Sequence, residues 1–322
     1  MTPNGLAALK ACDSLANPGE VLPTGKPEGV ACADAILSVY LDNKGKTGLA
    51  AFGGYDYRRM EPTYAWAVQL QAGYSPAEIS LLAKDAITEA LAAKLDATQT
   101  IGSRQVNAYL RVYDQMKDLI GAMRDNGIDV WVITATSEPV VRAFSASVGL
   151  PTDRIVGVRM VLDPGGKQTY NLQGCGDVPD GQNNGAAIFE GNSIMPYIDG
   201  KRCWVNKAIY GDSSPTAVNQ RPEDKRQIFA AGDSNTDVTF VRDATQLKLV
   251  LNRNKAELMC NAYANYGNRY LVNPMFIDPK PQQTAMYPCS TTACVSAAGN
   301  AGPCLDEAQG PIPDQKDAVY PM

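Results

Sequence analysis

Short apolar runs that end in small or polar residues constrain the fold of this chain more than any other feature. The runs IDVWVIT (128–134), QIFAAGD (227–233) and LKLVLN (247–252) are typical of strands buried on both faces of a parallel sheet. A further run, IVGVRMVL (155–162), follows a helix-like stretch. Strands and helices alternate here at the spacing of βαβ units, which predicts a doubly wound α/β domain. In such sheets ligands bind at the carboxyl ends of the strands.

Helical periodicity dominates the first hundred residues. Residues 61–95 predict two helices that break at Gly73, with Ser75 as the N-cap of the second. Residues 106–126 keep helical spacing up to an Asn-Gly pair that is typical of a helix end. We therefore expect one more helix directly before the first strand of the sheet.

The chain is divided into three parts on this pattern. Residues 1–102 are expected to form a helical cap-like region, and residues 103–285 the α/β core. Within the core, residues 163–200 are rich in Gly, Asn and Asp and predict a hairpin that leaves the sheet. Residues 286–322 contain Pro and Cys but few large aliphatic residues, so an irregular tail is expected there.

The composition limits the chemistry and the partners. The 322 residues include no histidine, which excludes Ser-His-Asp and Cys-His catalysis and HExxH zinc sites. Acid–base or metal chemistry must therefore use carboxylates, Lys, Tyr or Cys. The net charge of -5 argues against a nucleic-acid partner, and no apolar run approaches the roughly 20 residues of a membrane span. A small molecule is the expected partner, and the sequence gives no indication of the oligomeric state.

The eight cysteines bear on the compartment. None forms a CxxC pair, and the even number fits up to four disulfides whose pairing stays open. The alternative is a set of buried apolar thiols in a cytoplasmic protein. Because three of them lie in the Pro-rich tail, a periplasmic or extracellular location is favoured. The first residues lack the charged and apolar segments of a signal peptide, so we expect an export signal to lie outside this sequence.

Polar residues follow the first strand of the predicted sheet. Thr134 and Ala135 lie where the strand passes into a helix, so a hydroxyl and free backbone N–H groups are available to a phosphate. The alternative is purely structural, with Thr134 ending the strand and Ser137 capping the helix.

Two carboxylates follow the later strand. Asp233 and Asp237 are four residues apart across a strand-to-helix turn. Mg²⁺ prefers oxygen ligands and usually keeps several waters, so one or two carboxylates suffice to hold it. We therefore predict that these residues bind Mg²⁺, although either could instead cap the next helix.

A lysine precedes that strand. Lys201 opens a helix-like stretch, where its ammonium could neutralise a phosphoryl oxygen and a nearby carboxylate. Lys207 is the competing candidate, and an ordinary solvated lysine is the structural alternative. Spacing alone does not separate these interpretations.

Taken in order, these segments resemble the motifs of the haloacid dehalogenase superfamily of aspartyl-nucleophile phosphatases. VWVITAT resembles the second motif, with Thr134 as its hydroxyl residue; DGKRCWVNKAI resembles the third, with Lys201 as its lysine. AAGDSNTD resembles the fourth, with Asp233 and Asp237 as its metal acids. YAWAVQLQAGYSPAEI and LVLNRNKAELM are similar to segments of the branch that contains bacterial phosphorylcholine phosphatase. The similarity covers roughly residues 31–285.

This resemblance implies a Mg²⁺-dependent phosphomonoesterase that acts on a small alcohol phosphate through an aspartyl-phosphate. Thr134, Ala135 and Lys201 would bind the phosphate, with Lys201 and Thr134 assisting catalysis, and Asp233 and Asp237 would hold the metal. In this superfamily a helical cap inserted after the first strand covers the site, and the cap-like region of this chain matches that description.

The first motif of the superfamily, DxDx[TV] after a strand, is absent from the sequence. Asp42 and Asp56 lie in the nearest similar segments, but neither has an acid two positions later. We therefore expect the first strand and its aspartates to lie upstream of Met1. Whether the chain is itself an enzyme stays open at this stage.

Two other functions remain possible from the sequence. The chain could be a catalytically inactive protein that binds a phosphate ligand through the remaining motifs. It could also be an oxidised extracellular interaction protein that uses its Cys-rich tail.

Overall fold

Helices and short strands alternate along a computed structural model of the chain, which describes residues 1–15, 25–181 and 194–318. The helices are α1 (Pro3–Leu9), α2 (Pro27–Asp42), α3 (Pro62–Gln69), α4 (Pro76–Ala92), α5 (Asp114–Asp125), α6 (Glu138–Phe144), α7 (Asp199–Ala208), α8 (Val238–Asp243) and α9 (Ala256–Ala264). The strands are β1 (Thr98–Ile101), β2 (Arg104–Asn107), β3 (Val132–Ser137), β4 (Ile155–Val158), β5 (Met160–Leu162), β6 (Gln168–Leu172), β7 (Phe229–Gly232), β8 (Leu247–Asn252), β9 (Tyr270–Pro274), β10 (Cys294–Val295) and β11 (Ala301–Gly302).

The core strands form two parallel sheets. β3 pairs with β4, and β7, β8 and β9 pair in that order. The connections β3–α6–β4, β7–α8–β8 and β8–α9–β9 are βαβ units, so the predicted α/β class is confirmed. Within the described residues no ladder joins the two sheets, and neither sheet closes into a barrel. The single doubly wound sheet expected from the sequence is therefore seen as two smaller ones.

The burial of the strands differs between and within the sheets. Val132 and Ile133 in β3 are only half-buried, as are Phe229 and Ala231 in β7. Their partner strands β4 and β8 are mostly buried. The prediction that residues 128–134 form a strand buried on both faces is therefore wrong, because β3 has a ladder on one edge and incomplete cover.

Antiparallel hairpins interrupt two predicted elements. The expected strand 155–162 divides at Arg159 into β4 and β5, and β5 pairs with β6 as part of the predicted excursion. Residues 182–193 of that excursion lie outside the described part of the chain. The helix expected over 106–126 begins only at Asp114, since residues 98–107 form the β1–β2 hairpin.

A glycine explains where that hairpin turns. Gly102 has φ +63°, in the left-handed region that favours glycine, and connects β1 to β2. The expected boundary between residues 102 and 103 therefore lies inside one structural unit. Local β-branched residues and this turn outweigh the helical spacing of the following apolar residues.

Several helix ends follow the predicted signals. Ser75 caps α4 through a complete capping box with Glu78, and the break between α3 and α4 contains Gly73. Gly127, with φ 78°, follows the end of α5.

The C-terminal tail belongs to the core of the three-stranded sheet. Tyr287, Cys289, Cys304 and Ile312 are each at most 1% exposed and pack with residues of α8, β8 and α9. Asp317 is fully buried and accepts hydrogen bonds from β8 and α9 side chains. The tail is mostly irregular, as expected, but it is an integral part of the folded core rather than an appendage.

All eight cysteines form disulfides. The pairs are Cys12–Cys32, Cys175–Cys203, Cys260–Cys289 and Cys294–Cys304. Four disulfides fit a periplasmic or extracellular location, where such bonds persist. In the described part of the chain no helix is both long and apolar enough to cross a membrane.

Candidate functional site

The predicted site residues lie around helix α7. Lys201 is in the first turn of α7, and Thr134 is in β3, against which α7 packs. Asp233 directly follows β7, and Asp237 ends the 3-10 turn Asn235–Asp237, which α7 also contacts. Helix α7 thus packs on β3 and on the turn that follows β7, and it brings the lysine to the acidic turn.

Lys201 and Asp237 form a buried ion pair. The Nζ of Lys201 lies 2.5 Å from Oδ1 of Asp237, and the two side chains are 6% and 8% exposed. The Oδ2 of Asp237 accepts hydrogen bonds from the backbone N–H groups of Asp233 and Ser234, each at 3.0 Å. Burial raises the pKa of Asp237, but the charge of Lys201 and these hydrogen bonds outweigh it and keep the pKa below its ordinary value.

The sequence GDSNTD forms this turn through local contacts. Ser234 and Asp237 make a capping box, in which each side chain bonds the backbone of the other residue. A Cβ atom at Gly232 would lie 2.5 Å from the Cβ of Asp237, so only glycine fits before the turn. Asp237 therefore organises the turn and positions the backbone of Asp233.

Asp233 is the accessible carboxylate of the site. Its side chain is 44% exposed, and Oδ2 accepts a hydrogen bond from Arg253 at 2.8 Å. Both oxygens of Asp237 already accept hydrogen bonds, so Asp233 is the more accessible of the two acids, and their joint binding of Mg²⁺ stays a prediction. Within the described residues no group of three or more His, Cys, Asp or Glu side chains could hold a metal ion.

The carboxylates of Asp233 and Asp237 nevertheless fit one kind of magnesium site. Mg²⁺ usually keeps several waters and takes one or two protein carboxylates together with a substrate phosphate. Asp233 can supply such a carboxylate at the end of β7. Asp237 fits a supporting role, because it fixes Asp233 through the backbone and holds Lys201 beside it.

β3 continues past Thr134 to Ser137, so Thr134 and Ala135 lie within the strand and not where it passes into α6, as the sequence predicted. The hydroxyl oxygen of Thr134 accepts a hydrogen bond from the N–H of Thr136 at 3.2 Å. Ser137 makes no side-chain cap for α6, and its hydroxyl donates to Oε1 of Gln71 at 2.7 Å. Ala135 is 9% exposed. Among the described residues no hydrogen bond joins Thr134 to Lys201, so the structure places them on packed elements without direct contact.

The two candidate lysines point to different partners. Lys201 faces Asp237, and its ammonium lies 5.3 Å from the ring centroid of Phe240. Lys207 donates to the carbonyl oxygen of Gly174 at 2.7 Å. Of the two lysines, Lys201 is therefore the one that contacts the turn containing Asp233 and Asp237.

A second set of charged residues was not found from the sequence. Arg58 binds Asp199 through Nε and Nη2, at 2.8 and 3.1 Å. Its Nη1 also donates to Glu257 of α9 at 2.9 Å. Asp199 accepts a further hydrogen bond from the hydroxyl of Thr239 in α8. No sequence signal could have joined Arg58 to Asp199, because they are 141 positions apart.

A bidentate pair extends this set along α7. Arg202 binds both oxygens of Asp243 in α8, at 2.6 and 2.8 Å. We call these seven residues the charged interface: Arg58, Asp199, Lys201, Arg202, Asp237, Asp243 and Glu257. It connects α7, which packs on β3, with the turn and helices that pack on the three-stranded sheet.

The charged interface also shifts the pKa values of Asp199 and Glu257. Burial raises the pKa of Asp199, but Arg58 and the hydroxyl of Thr239 outweigh it and hold the pKa below the ordinary value. For Glu257 burial is the larger effect and raises the pKa despite its pairing with Arg58. The two carboxylates bound by one guanidinium therefore differ in acidity.

The backbone before α7 is strained. Ile198, the N-cap of α7, has φ 43° and ψ -105°, which a β-branched residue rarely adopts. It is 1% exposed and packs with Met60 and Tyr197, so its surroundings hold this conformation. Gly200 follows where a Cβ would lie 1.8 Å from the carbonyl oxygen of Met195. This tight turn sets the direction of Asp199 and Lys201.

Tyrosines form a wall beside this turn. Tyr57 and Tyr64 both meet Tyr197 edge-on, with ring centroids 6.3 and 6.2 Å apart. Glu61 lies in the same region, and burial raises the pKa of its carboxyl group. Sequence reasoning missed this wall because its members come from two distant segments.

Comparison with solved structures supports the fold. A conserved protein of unknown function from Anaerococcus prevotii DSM 20548 resembles the chain with a TM-score of 0.57 and 20% sequence identity. The match covers 84% of this chain and 67% of that protein. No family model and no curated protein matches the chain. At this identity the likeness extends to the mixed α/β fold alone.

The buried ion pair gives a stability prediction. Replacing Lys201→Met leaves the charge of Asp237 buried without its partner, which should lower the free energy of unfolding by about 3–5 kcal/mol. Guanidinium unfolding measures this loss. Lys167→Met is the matched control, because Lys167 also pairs at 2.6 Å with Glu78, but both side chains are more than 40% exposed. The free energy of unfolding should fall by less than about 1 kcal/mol in this control, and equal losses in both variants would show that burial does not strengthen the Lys201–Asp237 pair.

The same pair predicts a pH dependence. Because the folded state lowers the pKa of Asp237, its contribution is complete above the unfolded pKa of about 4 and is lost as the pH falls through the folded pKa. The difference in unfolding free energy between the wild type and Asp237→Asn should therefore be larger at about pH 6 than at about pH 3. Urea unfolding at both pH values measures it. A difference that does not change with pH would show that Asp237 is not held as an anion.

Proposed function

We propose that this chain forms the core of a Mg²⁺-dependent phosphomonoesterase of the haloacid dehalogenase type, acting on a small alcohol phosphate. The observation that carries the proposal is the buried Lys201–Asp237 pair, which sits beside the accessible carboxylate of Asp233 at the carboxyl end of β7. A fixed cation next to an available carboxylate suits a site for a phosphoryl group and a divalent metal.

The phosphate would be bound by groups from both parallel sheets. The ammonium of Lys201 has three N–H donors, of which Asp237 uses one, so two others can face phosphoryl oxygens. The hydroxyl of Thr134 and the N–H of Ala135, in the middle of β3, would donate to the remaining oxygens. Donors fixed before the reaction stabilise charge in the transition state without reorganising.

Mg²⁺ would be held by Asp233, and when bound it would neutralise part of the phosphoryl charge. Arg253 would then exchange its contact with Asp233 for the metal or for the substrate. Asp237 would keep both the turn and Lys201 in place during this exchange.

The nucleophile would come from one further parallel strand. β3 and β7 lack a ladder to each other in the described chain, and both are half-buried. A strand ending in DxDx[TV] that paired between them would place an aspartate between Thr134 and Asp233. That aspartate would attack phosphorus, and the second one would protonate the leaving alcohol. The four disulfides support a periplasmic or extracellular setting for this reaction.

A second candidate is a phosphate-binding protein without catalysis. It is favoured by one observation, the absence of any DxD sequence in the 322 residues. Such a protein would use Lys201, Thr134 and Asp233 for binding alone.

The metal assignment is tested by Mg²⁺ binding. We expect weak, saturable binding to the wild type and at least about tenfold weaker binding to Asp233→Asn, since a direct carboxylate ligand is lost. Isothermal titration calorimetry measures both. Asp42→Asn is the matched control, because Asp42 is 37% exposed and pairs with Arg104 at 2.7 Å, much as Asp233 pairs with Arg253. Equal binding by wild type and Asp233→Asn would remove the assignment.

Activity separates the two candidate functions. The 322 residues should release no phosphate from p-nitrophenyl phosphate or phosphorylcholine above the uncatalysed rate, because no aspartate is placed to attack phosphorus. The same residues preceded by a strand that ends in DxDx[TV] from the upstream coding sequence should show Mg²⁺-dependent release. Lack of activity in that longer chain would favour the binding protein. Activity of the 322 residues that is lost in Asp42→Asn or Asp56→Asn would identify the nucleophile within them.

A further inference from the structure

A cavity of about 690 Å³ lies between α4, α6 and the β5–β6 hairpin. None of Thr134, Lys201, Asp233 or Asp237 lines it. It is therefore separate from the candidate phosphoryl site and does not depend on the function proposed for that site. Its position between the cap-like region and the α/β core is a usual place for ligand pockets.

The elements around the cavity are fixed to each other. The hydroxyl of Ser80 in α4 donates to the carbonyl oxygen of Pro139 in α6 at 2.8 Å. Lys167 of the hairpin binds Glu78 of α4 at 2.6 Å, and the N–H of Gln168 donates to the carbonyl oxygen of Tyr74 at 2.9 Å. The cavity is thus preformed by contacts on three sides.

Positive charge is in excess along its wall. Lys84, Arg142 and Arg159 line the cavity together with a single acid, Glu138. Glu138 is buried and shared, with Oε1 2.6 Å from Arg142 and Oε2 2.5 Å from Arg159. Among the described residues Lys84 makes no ion pair. The three basic residues and the one acid give the cavity wall a formal charge of about +2. The whole chain has a net charge of -5, so this positive excess is specific to the cavity.

Arg159 supplies hydrogen-bond donors to the wall of the cavity. Among the described residues the guanidinium of Arg159 makes one side-chain hydrogen bond, from Nε to Glu138, and it lies 5.5 Å from the ring centroid of Trp204. Stacking of this kind holds the terminal N–H groups in a fixed direction. These terminal N–H groups can donate to an anion in the cavity.

The remaining wall is apolar. Pro76, Leu81, Pro139, Met160 and Leu162 line the cavity beside the basic groups. A ligand that satisfies both parts of the wall has an anionic head and an apolar body. A free inorganic anion would leave the apolar part of the wall in contact with water.

We propose that this cavity is a binding site for a small organic carboxylate with an apolar body. The carboxylate binds Arg159, with Lys84 and Arg142 adding positive charge, and the body lies against Leu81 and Met160. The planar guanidinium of Arg159 matches the two oxygens of a carboxylate.

Calorimetric titration of the whole chain with octanoate tests the proposal. The wild type should bind one octanoate saturably, and octylamine, which carries the opposite charge on the same body, should not bind. Absence of saturable octanoate binding, or equal binding of octylamine, would overturn the proposal.

Charge variants locate the site. Arg159→Gln should bind octanoate about tenfold more weakly, because a charge-assisted contact is lost. Arg154→Gln is the matched control, since Arg154 also binds an acid through Nε at 2.6 Å and stacks on a tryptophan, but does not line the cavity. It should bind like the wild type. Equal weakening in both variants would contradict the proposed site.

Two exposed positions keep the test decisive if Arg159→Gln fails to fold. Lys84→Gln should weaken octanoate binding about threefold through the lost charge. Leu81→Gln should weaken octanoate binding by a similar factor but leave acetate binding unchanged, since only the apolar body touches Leu81. Unchanged octanoate binding in both variants would overturn the proposal.

Discussion

The buried ion pair between Lys201 and Asp237 links the packing of the molecule to the geometry of its candidate site. Lys201 belongs to α7, which packs on β3, whereas Asp237 belongs to the turn that follows β7. Neither charge is tolerated in these surroundings without the other, because burial of an unpaired ion costs several kcal/mol. The second oxygen of Asp237 also binds the backbone of Asp233. One contact therefore joins the two parallel sheets and places the accessible carboxylate.

In the rest of the charged interface, oppositely charged side chains also pair between different elements. Arg58 reaches Asp199 and Glu257 at once, and Arg202 binds both oxygens of Asp243. Such paired charges depend strongly on direction, so they fix the relative position of α7, α8 and α9 even though no described ladder joins the sheets. In the described part of the chain, β3 and β7 each have a ladder on one edge, and the proposed phosphatase core would pair a further strand on the other edges.

The sequence predicted what is decided locally. The capping box at Ser75 and the turn around Asp237 follow from residues a few positions apart, and both form as expected. The helix expected from residue 106 begins only at Asp114, because the residues before it form the β1–β2 hairpin. Arg58 could not be found, since its partners are 141 and 199 positions away. The burial of the tail does not follow from its composition, because disulfides and neighbouring elements, rather than its own aliphatic residues, bury it.

Amide hydrogen exchange, resolved residue by residue by NMR, tests most directly that charged contacts rather than a strand ladder join the two sheets. N–H groups alternate in direction along a strand, so β7, which among the described strands pairs with β8 alone, should show alternating slow and fast exchange. β8, paired on both edges, should exchange slowly throughout. Uniformly slow exchange along Phe229–Gly232 would mean that both edges of β7 are paired, and would contradict the account.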